Sequence, residues 1–447
     1  NQLYNLELAM AYEKNNEPSE GIPFYLDYLM LNKGSKELIE SKLLAQVDQS
    51  DEYGEELQKV LLKRIQKSNS VLYAELLIWY YEQGKNYTAA FIQARALDKR
   101  LNEQGERIID LARNAMEQEA YDAAIKAYDY VIEKGEGKRY FLIARQEILE
   151  ARLAKITGGD YTQEDLIALD NAYDAFLEKF GLNRSTAKTL RQKASLHALY
   201  MNDYEGAISM LEKLIENPLI DAKLVAQSKL DLGDYYLMKG EVWEATLLYS
   251  QVDKAMKDEP LGEMARFKNA LLSYYTGDFE WAQTQLSVLK ASTSELISND
   301  AIELSVFIID NMGLDTVRYP MELFAKAELL RYQKKTDQAF EMLDSITYFF
   351  PNHALKEDIL YEKAEIYTDL KEYSKAKEFY EEMLTLTEED NLLIDNALFR
   401  LAELYQYQLG NSEKAKELYQ KIILEFRESI FLGEARKRFR KLRGDQL

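Results

Sequence analysis

Apolar residues recur three and four positions apart along most of this chain, the period that lays a greasy stripe on one face of an α-helix. Within many stripes a small residue adjoins a large one: Leu232-Gly233 followed by Tyr236, Leu111-Ala112, and Leu401-Ala402 followed by Tyr405. A short break comes next, at Gly84, Asn202, Gly240, Gly277 or Gly410, residue types that tolerate a positive φ. Beyond the break a second stripe sets an alanine four residues before a tyrosine, as in Ala124/Tyr128, Ala245/Tyr249, Ala376/Tyr380 and Ala415/Tyr419. Two antiparallel helices cross within about 8–10 Å only where one offers Gly or Ala to the other's bulk. The pattern therefore predicts helical hairpins, with Gly233 and Ala282 at crossings.

The hairpin pattern repeats. Tyr87-Thr-Ala-Ala90, Tyr121-Asp-Ala-Ala124, Tyr204-Glu-Gly-Ala207, Val242-Trp-Glu-Ala245, Phe279-Glu-Trp-Ala282, Thr336-Asp-Gln-Ala339 and Tyr373-Ser-Lys-Ala376 lead to a last copy at Ala415. An earlier copy surrounds Gly21, with Tyr12 before it and Tyr25 and Tyr28 after, and several units end near Pro218, Pro260 or Pro351. Most copies lie 34 to 39 residues apart, a period that signals stacked hairpins. These residues resemble the tetratricopeptide repeat (TPR) family, whose signature is matched by Leu232-Gly233-x-x-Tyr236 and by Gly277-Asp-Phe-Glu-x-Ala282. The resemblance is good over about residues 71–138 and 184–427 and loose over 1–70 and 139–183. It implies an all-α fold, an α–α superhelix (solenoid) of TPR-type helical hairpins. First helices would line an inner groove that binds peptides or partner proteins.

Two stretches break the period. Residues 139–183 predict a long helix from Tyr140 to Ile156, a turn at Thr157-Gly-Gly-Asp-Tyr161, and a second helix from Gln163 to Phe180. Residues 291–320 predict an extra helix from Glu295 to Asn311, rich in Ile302, Leu304, Val306, Phe307, Ile308 and Ile309, then a linker to Pro320. Burial between repeat blocks explains that helix, and a partner-binding role is the alternative. Ser429 to Leu442 predicts a capping helix, which such arrays need over their last apolar face. The expected blocks are 1–138 (N-terminal repeats), 139–183 (irregular hairpin), 184–290 (central repeats), 291–320 (extra helix and linker) and 321–447 (C-terminal repeats and cap). The segments Leu289 to Leu304 and Glu434 to Asp445 look like parts of long exported TPR proteins of Bacteroidota-type bacteria. That resemblance implies a periplasmic or outer-envelope location. The start at Asn1, inside a helical pattern, fits a trimmed product, and a cytoplasmic location is the alternative.

Composition narrows the function classes. Of 447 residues, 77 are acidic and 56 are Lys or Arg, a net charge of −21 that repels phosphate backbones, so no nucleic-acid partner is expected. No cysteine is present, which removes disulfides and thiolate chemistry. His197 and His353, the only two histidines, read as a packed helix residue and a turn residue. No phosphate-cradling glycine loop, His-Glu-x-x-His or Gly-x-Ser-x-Gly occurs, and Gly135-Glu-Gly137 lacks the third glycine of a dinucleotide fingerprint. Carboxylate pairs such as Glu381-Glu382 and Glu388-Glu389-Asp390 follow from acid abundance. No enzyme activity, cofactor or metal is expected, and no run of eighteen apolar residues offers a transmembrane segment.

Three candidate surfaces remain. Projecting the helical period places Trp79, Arg113, Tyr200, Phe267, Leu271, Tyr274, Tyr275, Phe324, Arg331, Tyr332, Tyr361, Phe399 and Tyr407, with Glu365 and Glu403, on the groove side of first helices. Aromatic rings with arginine anchors suit a protein or peptide partner, with packing against neighbouring repeats as the alternative for each. Arg436, Lys437, Arg438, Arg440, Lys441 and Arg443 form a basic tail, read as favourable charge at a helix C-terminus or as a docking patch. Asp315-Thr316-Val317, under the Bacteroidota resemblance, is a candidate O-glycosylation site. The expected function is a non-enzymatic protein-interaction scaffold in a bacterial cell-envelope assembly. The alternative is a cytoplasmic regulator binding a signalling peptide.

Overall fold

A computed structural model describes residues 4–159, 161–292, 294–312, 318–386 and 393–445. Among the described residues the regular structure is helical, with no strand. Contacts divide the chain into two units, Asn1–Met201 and Asn202–Leu447.

The first unit holds α1 (Asn5–Lys14), α2 (Pro18–Leu31), α3 (Lys36–Val47), α4 (Asp51–Ser68), α5 (Val71–Gln83), α6 (Tyr87–Leu101), α7 (Glu106–Glu117), α8 (Tyr121–Glu133), α9 (Phe141–Thr157), α10 (Gln163–Phe180) and α11 (Ala187–Tyr200). The second holds α12 (Tyr204–Ile215), α13 (Ala222–Lys239), α14 (Val242–Ala255), α15 (Pro260–Tyr275), α16 (Phe279–Leu289), α17 (Glu295–Met312), α18 (Tyr319–Tyr332), α19 (Thr336–Phe349), α20 (Lys356–Asp369), α21 (Tyr373–Met383), α22 (Ile394–Glu403), α23 (Ser412–Glu425) and α24 (Leu432–Arg443). Antiparallel hairpins form at α1–α2, α5–α6, α7–α8, α13–α14, α15–α16, α18–α19, α20–α21 and α22–α23, and within the second unit α15, α18 and α20 stack on one another.

One turn closes these hairpins. The residue two places before each second helix has a positive φ: Asn16, Lys85, Glu119, Gly240, Gly277, Lys334, Lys371 and Gly410, as has Asn202 before α12. The next backbone N–H bonds back five residues, as in Glu241 to Tyr236 (2.8 Å) and Lys335 to Leu330 (2.8 Å), satisfying carbonyls that a helix end leaves open. Gly84 was expected to carry the left-handed conformation, but its φ is −77° and Lys85 takes it at +53°. The last hairpin carries one extra residue. A π-helical turn, Leu404–Gln408, extends α22, so Asn411 N–H reaches back six residues to Tyr405. Asn86, Asp203, Asp278 and Asn411 then cap their second helices through the side chain, each accepting from the N–H three residues on.

The anchoring alanines behave as the repeat requires. Ala90, Ala124, Ala207, Ala245, Ala282, Ala339, Ala376 and Ala415 are wholly buried, and Tyr128, Tyr249, Tyr380 and Tyr419 four residues on are buried with them. A Cβ added to Gly233 would stand 2.4 Å from Cε1 of Tyr249, so only glycine fits that crossing. The extra helix α17 packs Ile297, Ala301, Ser305 and Ile308 against α16 and α15 while Ile302, Val306 and Ile309 face solvent. It is therefore covered on one side only.

Candidate functional site

The first helices of the second unit carry a continuous polar ladder. Its sequence basis is α20, where Asp358, Glu362, Glu365 and Asp369 follow at helical spacing and share a face. Arg331 on α18 reaches across to that stripe, bonding Glu362 Oε2 (2.9 Å), Glu365 Oε2 (3.3 Å) and Asp369 Oδ2 (2.8 Å). Arg400 on α22 sits 3.6 Å from the other Glu365 oxygen and 3.0 Å from Glu403. Arg438 on α24 then bonds Glu403 (2.8 Å) and Glu434 (2.9 Å). At the opposite end the Tyr274 hydroxyl donates to Glu328 of α18.

The ladder is short of cations where it is deepest. Burial, together with the nearby charges of Glu362 and Asp358, pushes Glu328 up to about 8. Burial beside Glu357 pushes Asp358 up to about 7. Glu362 is also pushed up by burial, against the pull of Arg331.

Half-buried apolar and aromatic side chains flank this ladder. Phe267, Leu271 and Tyr275 on α15, Tyr332 on α18 and Tyr361 on α20 are partly buried, and Tyr407 beyond α22 is exposed. Tyr275 lies within the electrostatic reach of Glu328, Tyr332, Glu362 and Arg331, which places these groups together. Three residues expected in the groove lie in the core instead. Tyr274 (1% exposed) and Phe324 (3%) are covered by Phe307 of α17, with ring centroids at 6.2 and 5.5 Å. Phe399 (5%) is covered by the C-terminal cap, stacked on Phe431 at 4.5 Å beneath the Arg438 guanidinium at 5.0 Å. In both cases the covering ring comes from an element outside the two-helix repeat.

The three predicted residues of the first unit fall at separate places. Trp79 is half-buried in an open cleft of about 650 Å³ that Glu75, Glu82, Arg107 and Tyr140 also line. Arg113 is exposed and pairs with Glu147 at 2.6 Å. Tyr200 meets Tyr161 edge-on at 5.9 Å.

The basic tail divides. Arg438 is clasped by Glu403, Glu434 and the Tyr419 hydroxyl (3.1 Å) and so fastens the cap rather than offering a free charge. Arg436, Lys437, Arg440, Lys441 and Arg443 are exposed, with Arg443 bonded to Asp445. His197 bonds Asp170 (2.8 Å), and His353 accepts the Leu355 N–H (3.2 Å), holding a turn. Among the described residues no group of three His, Cys, Asp or Glu is arranged for a metal ion, and no helix is long and apolar enough to cross a membrane. Asp315-Thr316-Val317 and Glu388-Glu389-Asp390 lie outside the described residues.

Sequence reasoning missed Glu328, Asp358, Glu362 and Asp369. The signal was available in the regular spacing of the α20 acids, masked by the abundance of acids elsewhere.

Two family models match the chain, both described as tetratricopeptide repeat, at residues 357–390 and 396–429, which span most of α20–α21 and of α22–α23. No curated protein matches. Several solved structures are similar. A tetratricopeptide repeat protein from Parabacteroides merdae is 14% identical, over 64% of this chain and 95% of its own, with a TM-score of 0.35. The apo form of the quorum sensor NprR from B. thuringiensis is 14% identical, over 83% and 97%, with a TM-score of 0.41. The human IFIT1 dimer with m7Gppp-AAAA is 14% identical, over 88% and 86%, with a TM-score of 0.31. The matched repeats and the helix pairing make the fold an all-α array of TPR-type hairpins closed by a capping helix.

Proposed function

We propose that this chain is a non-enzymatic scaffold that holds an extended segment of another protein against the first helices of its second unit, within a bacterial cell-envelope assembly. The observation that carries the reading is the strip of half-buried rings on α15, α18 and α20, backed by an ion-pair ladder between α18 and α20. Rigid aromatic surface with anchored arginines supplies contact area at little entropic cost. The ladder's arginines bond the neighbouring carboxylates, an arrangement that positions side chains rather than activating a nucleophile. TPR arrays are generally interaction scaffolds, in keeping with this.

Photo-crosslinking in native cells tests the site. A crosslinking residue at Tyr332 or Tyr361 is expected to capture a defined partner, and one at Trp243, 83% exposed on the second helix α14, is not. Equal capture from all three positions, or none from the first two, defeats the proposal. The envelope location rests on the resemblance of the Leu289–Leu304 and Glu434–Asp445 segments to exported proteins. Fractionation of native cells checks it, since a purely cytosolic pool would point instead to a cytoplasmic peptide-binding regulator.

A further inference from the structure

Glu362 is 5% exposed, and only one of its carboxylate oxygens is satisfied. Oε2 takes the Arg331 hydrogen bond, whereas buried Oε1 has no hydrogen-bond partner. An unpaired buried carboxylate oxygen costs on the order of 1–3 kcal/mol or more, so the position favours any donor that completes it. Among the described residues no cation of the chain reaches that oxygen. Glu328 accepts from Tyr274, Asp358 adds a third carboxyl, and Arg331 is already divided among Glu362, Glu365 and Asp369. Arg400, the next cation along, is shared with Glu403. The acids thus outnumber the cations on this stretch, at the depth where water screens charge least. Tyr275 stands beside it, with Tyr332 next in line towards Asp234, both half-buried, so that ring surface is at hand for an aliphatic stem and a cationic head.

We infer that Glu328, Asp358 and Glu362 form a subsite for a Lys or Arg side chain of the docked segment, with Tyr275 and Tyr332 packing its stem. This rests on the proposed docking face and names the chemistry of its occupant. The cation completes Glu362 Oε1 and displaces the proton that burial keeps on Glu328, while apolar residues on either side of it meet Phe267 and Leu271. The recognised segment is therefore a basic residue flanked by apolar ones.

A random heptapeptide library displayed on phage, panned on the full chain, tests this. Peptides enriched on the wild type are expected to carry Lys or Arg between apolar residues. A selected peptide should lose at least about tenfold in affinity when its basic residue becomes norleucine, and similarly on Glu362→Gln, without further loss when both changes are combined. Should Glu362→Gln disturb folding by circular dichroism, Glu328→Gln and Asp358→Asn give the same comparison. Peptides that depend on Tyr275 and Tyr332, judged with the Tyr275→Ser/Tyr332→Ser chain, but lack a basic residue overturn the subsite and leave the docking face standing. A library that enriches nothing on the wild type over that double variant overturns both.

Discussion

Tyr249 donates its hydroxyl to Asp234 across the α13–α14 hairpin at 2.5 Å. The ring is the bulk that packs over Gly233, and the acid is the residue that follows that glycine, so one crossing combines close packing with a polar lock. Lys268 on α15 bonds the same carboxylate at 2.8 Å, tying the next repeat into the lock. The α20–α21 hairpin repeats the arrangement, with Tyr380 donating to Glu365 beside Ala364. Removing the hydroxyl leaves a partly buried carboxylate with one donor fewer. Tyr249→Phe is expected to cost about 1–3 kcal/mol in urea unfolding, whereas Tyr407→Phe, at an exposed ring, should stay within about 0.5 kcal/mol. Equal midpoints for the two variants would show that the Tyr249–Asp234 bond contributes nothing.

Close approach at the same crossing sets a second expectation. A methyl on residue 233 would need 2.4 Å to the Tyr249 ring, well inside contact, and Ala282 is wholly buried on α16. Gly233→Ala and Ala282→Leu should each cost about 1–3 kcal/mol or more by overpacking, read as a lowered midpoint of helical circular dichroism on heating. A Gly233→Ala chain as stable as wild type would mean that α13 and α14 can separate without loss.

How much of this was visible beforehand differs from residue to residue. The alanine and tyrosine positions of each second helix follow from spacing alone, because a helix has one period and the hairpin has one close contact. Of the acids that follow the small residue, Glu365 and Glu403 project to the groove side, whereas Asp234 was not singled out, since 77 acids make any one of them unremarkable in sequence. Tyr274 lies three residues from half-buried Leu271 and Phe324 eight from half-buried Tyr332, so the helical period alone sets them on the same broad face. What buries them and Phe399 is Phe307 and the Phe431–Arg438 cap, whose docking side no two-helix repeat encodes. Turn conformation was legible where glycine or asparagine stood, at Asn202, Gly240, Gly277 and Gly410, but not at Lys85, where the glycine falls one residue early.

The turns themselves offer a stabilising change. Lys371 has a φ of +60° at a position where Gly240 and Gly277 do the same work in their hairpins. A side chain in the left-handed region costs about 1–2 kcal/mol, offset in part by the extra freedom glycine has when unfolded. Lys371→Gly is therefore expected to raise stability by about 0.5–1 kcal/mol, and Gly240→Ala to lower it by about 1 kcal/mol, both read from urea midpoints. A destabilised Lys371→Gly chain would contradict the assignment of strain to that turn.

Arg331 joins three acids of α20 from α18, so it carries the contact between those first helices. Arg331→Met leaves Glu362 buried without its one partner and is expected to cost about 3 kcal/mol. Arg331→Lys should recover only part of that, because a single ammonium cannot reach the three carboxylates that the guanidinium fork spans. Full recovery by lysine would reduce the ladder to nonspecific charge balance.

The same carboxylates fix the sign of a pH dependence. Glu328 is pushed from 4.5 up to about 8, and Asp358 from 3.8 up to about 7, so the folded chain holds protons that the unfolded chain has released. Between those limits the unfolded state binds fewer protons, and stability falls as pH rises. The contribution is fully present below the ordinary carboxylate range and is lost as pH climbs through about 7 and then about 8. Partial solvent contact on this face screens the effect, leaving on the order of 2 kcal/mol between about pH 5 and about pH 9. Glu328→Gln should flatten the upper part of that decline and Asp358→Asn the lower part, so that above about pH 8 both variants gain on the wild type. Urea unfolding at about pH 5, 7 and 9 measures it, and a slope unchanged by Glu328→Gln would show that this carboxyl ionises as freely in the folded chain as in the unfolded one.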